Sequence, residues 1–179
     1  MSRIGRPRVS SREVIAEAAC ELFLEQGYAA TSISDITRRA GVARSSFFNY
    51  FSAKGAVLWA SFDERADAAL TRLRAGASVA DALATIGDGL DPDALALAIT
   101  NADAMGIADE LERDRAVRQF RLQRELTARF LRDGLPPLHA AVRAGAFAAA
   151  VLAAVWAWAD RTGSGRPLAE LLAEALAAV

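Results

Sequence analysis

The 179-residue chain predicts an all-α fold. Apolar residues recur at three- to four-residue spacing along every long segment, alanine dominates stretches such as residues 146–154, and cap-and-glycine punctuation marks where helices start and stop. The expected architecture is an N-terminal three-helix unit with a helix-turn-helix, residues 1–55, joined by a long fourth helix to a helical C-terminal domain, residues 56–179. About nine helices are expected in all, and no strand.

Ser10 with Glu13 reads as a capping box, and Val14, Ile15, Ala18, Ala19, Leu22 and Phe23 form the apolar stripe of a first helix that Gly27 closes. Ser32 with Asp35 opens a second, short helix backed by Ile33, Ile36 and Ala40 and stopped at Gly41. A third spans residues 44–51, with Phe48 and Phe51 on its packing face and Arg44, Ser45, Ser46 and Asn49 on the other. Ser52 is the expected cap of a fourth helix over residues 53–74, buried along Val57, Leu58, Phe62, Ala66, Leu70 and Leu73. Ser78, Asp91 with Pro92, and Asp109 open three more, the last reaching Arg132. After Gly134, Pro136 and Pro137 come an apolar helix over residues 138–160, the turn Thr162-Gly163-Ser164-Gly165 and a final helix over residues 167–178.

The net charge of −1 hides an asymmetry. Residues 1–55 carry eight basic side chains (Arg3, Arg6, Arg8, Arg12, Arg38, Arg39, Arg44, Lys54) against five acidic ones, and the rest of the chain has 13 against 17. A basic head on an acidic body suits a polyanion partner for the head, because cations that displace condensed counterions supply most of the affinity for a phosphate backbone. Arg3, Arg6 and Arg8 form a basic arm with two open readings, contact with the minor groove or flanking phosphates, and a solvated terminus. One histidine (His139) and one cysteine (Cys20, at core spacing) supply neither a metal site nor a catalytic triad, so no cofactor, metal or enzymatic role is expected. The most apolar segment, residues 144–159, is bounded by Arg143 and Asp160 and reads as a core helix, so a cytoplasmic protein with no membrane partner is expected.

Two short helices joined at Gly41-Val42-Ala43, the second small-fronted and apolar-backed, are what a major-groove reader needs. The ordered string Ala18, Leu22-Phe23, Gly27-Tyr28, Thr31-Ser32, Ile36, Ala40-Gly41-Val42, Phe48, Tyr50-Phe51, Lys54 and Leu58 resembles the DNA-binding domain of TetR (tetracycline repressor-like) regulators. The resemblance implies double-stranded operator DNA as partner. Thr31 and Ser32 would donate to one phosphate, Tyr50 and Lys54 would clamp another, and Arg44, Ser45, Ser46 and Asn49 would face the bases. Gly55 departs from the family, which often has an acidic residue there; it leaves Ser52 without a reciprocal capping partner and reads most simply as a tolerated surface glycine.

Beyond residue 75 the resemblance weakens. It implies a homodimer closed by the last two helices and a small apolar effector among the body helices, with Trp59, Phe62, Met105, Phe120, Phe130, Phe147 and Trp156 as candidate lining. The expected function is a ligand-responsive repressor on a palindromic operator; the alternative is a ligand-blind regulator set by concentration or a protein partner.

Overall fold

The computed structural model describes residues 11–89, 93–160 and 165–179. Ser10, the arginines of the arm, the Asp91-Pro92 pair and residues 162–164 of the expected turn lie outside that set. The described residues form ten α-helices, one 3-10 turn and no strand. The head consists of α1 (Ser11–Gln26), α2 (Ile33–Ala40) and α3 (Arg44–Phe48). The capping box at α2 is complete: Ser32 Oγ accepts from the Asp35 amide, and the Asp35 carboxylate accepts from the Ser32 amide. At its other end Gly41 adopts a left-handed φ of 67°, so that Val42 N–H reaches the Thr37 carbonyl at 3.0 Å and Gly41 N–H that of Arg38 at 3.3 Å. These two bonds satisfy carbonyls a longer helix would have used, and they set the sharp turn into α3.

The long connector α4 (Ala56–Arg74) starts three residues later than expected. Ser52 makes no cap; the first turn is wound by bonds from the amides of Ala56, Val57 and Leu58 to the carbonyls of Ala53, Lys54 and Gly55. The body continues with α5 (Val79–Ala84), capped by Ser78, the 3-10 turn Thr85–Gly87, and α6 (Ala94–Thr100), capped by Asp93. Then come α7 (Ala102–Met105), α8 (Ala108–Arg132), α9 (Pro137–Ala159) and α10 (Leu168–Ala177). The tenth helix arises because Asn101 leaves helical geometry and splits one expected helix into α6 and α7.

Head and body share one continuous apolar core in which α1 packs on α4, α6 and α7. Tyr28 N–H donates to the Met105 carbonyl at 2.8 Å, a backbone bond that ties the α1–α2 loop to the body. Between α4 and α8 the ties are mostly ionic. Arg118 grips Asp63 through two nitrogens at 2.8 and 2.7 Å, Arg121 pairs with Asp67, and Arg129 donates to the Leu73 and Ala77 carbonyls at the C-terminal end of α4.

By length and composition α9 is apolar enough to cross a membrane, beyond what the segment 144–159 alone suggested. It packs on α6, α8 and α10, and 44% of its most apolar window is buried. On its outward side Leu138 (72% exposed) and Val142 (65%) are open, as are Val117 (65%), Phe120 (66%) and Leu131 (45%) on α8. In the last helix Leu168, Leu172 and Leu176 of α10 turn inward.

Candidate nucleic-acid interface

The recognition segment is held by its back. Phe47 is fully buried and Phe51 nearly so, their ring centroids 5.4 Å apart, against a core that includes Ile15, Ala19, Phe23 and Ile36. Spacing from Phe51 pointed to Phe48 as the packed residue, and the structure corrects this: Phe48 is half exposed and Phe47 takes the inner place. In a helix of five residues both the i,i+3 and the i,i+4 pair with Phe51 fit the pattern; the second is the one that buries. Hydrogen bonds from the Tyr50 and Phe51 amides to the Phe47 carbonyl carry the turn beyond the last helical residue.

The outward face therefore presents Arg44, Ser45, Phe48 and Asn49, all exposed, with Ser46 half buried at its edge. Arg44 lies 5.9 Å from the Phe48 ring centre and donates through Nη1 to Ser34 Oγ on α2 at 3.0 Å, so its guanidinium is positioned across the two helices. Tyr50 is half exposed beside this face.

Thr31 is placed differently from its expected role. It is 2% exposed; its hydroxyl lies 2.8 Å from the Gly27 carbonyl and accepts from Gln26 Nε2 at 3.2 Å, so the group expected at a phosphate closes the α1–α2 loop instead. The Ser32 amide and hydroxyl are likewise engaged, both with Asp35. Lys54 points into the head: Nζ donates to the carbonyls of Tyr28 and Thr31, the latter at 2.8 Å, and sits 4.0 Å from the Tyr28 ring centre. Burial holds its pKa below the ordinary lysine value, opposed by the nearby Glu110. Two of its three protons are thus used on the loop that precedes α2.

Gly55 is not a surface glycine. It is buried, and a Cβ there would lie 3.0 Å from the Tyr28 hydroxyl and 3.5 Å from the Asp114 carboxylate. Burial, then Glu110 and Asp114, pushes the Tyr28 phenol up to about 12, so it stays protonated and uncharged in this contact.

The charge of the head is also redistributed. Among the described cations, Arg12 pairs with Glu64, Arg38 with Asp35, and Arg39 with both Glu21 and Glu25. The basic excess counted for residues 1–55 therefore rests on Arg3, Arg6 and Arg8, outside the described residues.

The aromatic residues expected around an effector are packed as follows. Trp59, Phe62 and Met105 are at most 1% exposed and Phe147 is 5% exposed, with Trp59 against Phe62 and Trp156, and Phe147 against Phe130. Phe120 stands on the outer face of α8. An open cleft of about 940 Å³ lies where α1, α4 and α6 meet.

The family model for bacterial regulatory proteins of the tetR family matches residues 15–60, the head and the start of α4. The chain is 41% identical over 61 residues to the mycofactocin biosynthesis transcriptional regulator MftR of Mycobacterium tuberculosis, a match spanning 34% of this chain and 31% of that protein. It is 27% identical over 150 residues to the HTH-type transcriptional repressor ComR of Escherichia coli, covering 74% and 71%. Among solved structures, a TetR-family transcriptional regulator from Rhodococcus sp. superposes with a TM-score of 0.53 at 19% identity over 94% of this chain and 97% of that one, a likeness of fold. The HTH-type transcriptional regulator BetI of Escherichia coli O157:H7 is 30% identical over 188 aligned positions, 98% of this chain and 94% of that protein. With head, connector and body matched end to end, the chain belongs to the TetR family of bacterial regulatory proteins.

Proposed function

We propose that this protein is a transcriptional repressor that binds a palindromic DNA operator as a homodimer and is released by a small molecule. The observation that carries the reading is the α3 face: Ser45, Phe48 and Asn49 stand exposed in front of the buried Phe47 and Phe51, so packing energy presents a small, mixed polar and apolar surface to the outside. A helix so presented fits the major groove, where Ser45, Ser46 and Asn49 reach base edges, Arg44 meets a guanine edge or a phosphate, and the Phe48 ring meets a thymine methyl. Tyr50 and the amide end of α2 at Ser32 supply backbone contacts, with Thr31 and Lys54 stiffening the loop that aims them. Repression is the sign that the likeness to ComR supports.

The pairing surface we assign is α8 with α9; pairing through the last two helices, α9 and α10, is the alternative. Val117, Phe120 and Leu131 on α8 and Leu138 and Val142 on α9 are large apolar side chains left exposed, and two copies related by a twofold axis would close a four-helix bundle over them. Residues 1–55 act as the DNA-binding domain and 56–179 as the pairing and sensing domain.

The close packing of Trp59, Phe62 and Met105 favours the ligand-blind alternative for the centre of the body, whereas the cleft at the head–body junction supports a responsive one. Gel shifts on the DNA flanking the coding sequence test the reading: a retarded complex at salt near 0.1 M, competed by the same duplex and not by unrelated DNA, is expected. Binding that every duplex competes equally would contradict it.

A further inference from the structure

Of the guanidinium groups described in the head, those of Arg12, Arg38 and Arg39 each meet a carboxylate, and among the described residues that of Arg44 meets none. Two neutral groups hold it instead. Ser34, exposed on α2, accepts from Nη1 at 3.0 Å, and the ring of Phe48, one turn along α3, has its centre 5.9 Å from the guanidinium carbon. A carboxylate would place the group and also cancel its charge; a hydroxyl and a ring place it and leave the charge for a partner. The Ser34 bond takes one of five N–H groups, so a pair of parallel donors stays free for the O6 and N7 acceptors of guanine. Less side-chain freedom is then lost when that contact forms.

Phe48 is half exposed and brings no donor or acceptor to the same face. In the major groove the apolar feature of a base edge is the C5-methyl group, carried by thymine and by 5-methylcytosine and absent from cytosine and uracil. The separation of 5.9 Å is less than two base steps of about 3.4 Å, so ring and guanidinium address neighbouring base pairs. We propose that Ser34, Arg44 and Phe48 form one reader of a guanine beside a C5-methylated pyrimidine, with Arg44 on the guanine, Phe48 on the methyl group and Ser34 as the positioning residue for Arg44. The proposal rests on the operator-binding reading above and gives that reading its sequence preference. It also makes recognition sensitive to cytosine methylation: a cytosine–guanine step is a poor site until it is methylated.

The test starts from duplexes that the full chain selects out of a random pool. Each is remade with deoxyuridine, cytosine or 5-methylcytosine in place of the thymine, and with 7-deazaguanine in place of the guanine, and binding is read by fluorescence anisotropy. Enrichment of a thymine–guanine step in both half-sites is expected. Deoxyuridine in both should weaken binding about fivefold, and 5-methylcytosine should bind more tightly than cytosine by a similar factor. Loss of the N7 acceptor should weaken it about tenfold. Phe48→Ala should erase the methyl effect and keep most of the 7-deazaguanine effect, whereas Ser34→Ala should shrink the 7-deazaguanine effect and keep the methyl effect, a split that general loosening of the head does not produce. Thermal melts check that both variants fold. Selected duplexes that bind equally with thymine, deoxyuridine and either cytosine would overturn the proposal and leave the regulator reading standing, as would wild-type discrimination in both variants. A pool that yields no enriched sequence removes both.

Discussion

At the N-terminal end of α2 the Asp35 carboxyl accepts from the Ser32 hydroxyl and amide and then pairs with Arg38, which together hold its pKa down to about 2. A carboxyl lowered on folding contributes stability that is complete above its unfolded value, near the ordinary 3.8, and is lost as pH falls through about 2. Chemical denaturation followed from pH 5 down to pH 2 should therefore show falling stability, with a shallower fall in Asp35→Asn; identical curves would mean the cap is not used. Gly55 sets a second single-residue condition. The Tyr28 hydroxyl lies 3.0 Å from where a Cβ would stand, so Gly55→Ala should cost about 1 kcal/mol despite a backbone suited to alanine, and Tyr28→Phe should remove most of that cost in a double-mutant cycle read by thermal melts. The Ser32–Asp35 cap is written in the sequence and the Gly55 condition is not. A glycine needed for its neighbour's hydroxyl looks the same there as one merely tolerated, and the partner, Tyr28, lies 27 positions away.

At the scale of elements, punctuation was legible and orientation less so. Ser32 with Asp35, Gly41 and Ser78 each mark the helix ends they were read to mark, because caps are local hydrogen bonds between residues a few positions apart. The facing of α3 was not legible, since five residues are too few for a period to declare itself, and the choice between Phe47 and Phe48 is made by the tertiary core behind them. The two phenylalanines consequently have opposite expected effects. Phe47→Ala removes a fully buried ring and should cost about 3 kcal/mol or more in denaturant melts. Phe48→Ala should leave the melt nearly unchanged and weaken DNA binding in gel shifts, most at sites rich in thymine. If the first variant were as stable as wild type, or the second bound DNA normally, the assignment of back and front would be wrong.

For the whole molecule, the body residues read as effector lining show what one sequence cannot separate. Burial in a subunit's own core, burial against a second subunit and burial around a ligand all select the same apolar residues. The structure sorts them: Trp59, Phe62 and Met105 to the core, Phe120 to the outer face of α8, and a different set altogether to the junction cleft. Phe120→Glu accordingly should leave the helical fold intact by circular dichroism while converting a dimer to a monomer by analytical ultracentrifugation. It should also abolish stable operator binding, since one head alone contacts half a site. A dimer unaffected by the charge would remove the α8–α9 surface from the account.

The most direct measurement is a hydroxyl-radical footprint of the purified protein on the duplex it retains from its flanking DNA. The account predicts two protected patches related by the twofold axis of an inverted repeat, their centres one helical turn or a whole multiple apart, with two chains bound per site. A single unsymmetric patch, or protection spread evenly along the duplex, would contradict it.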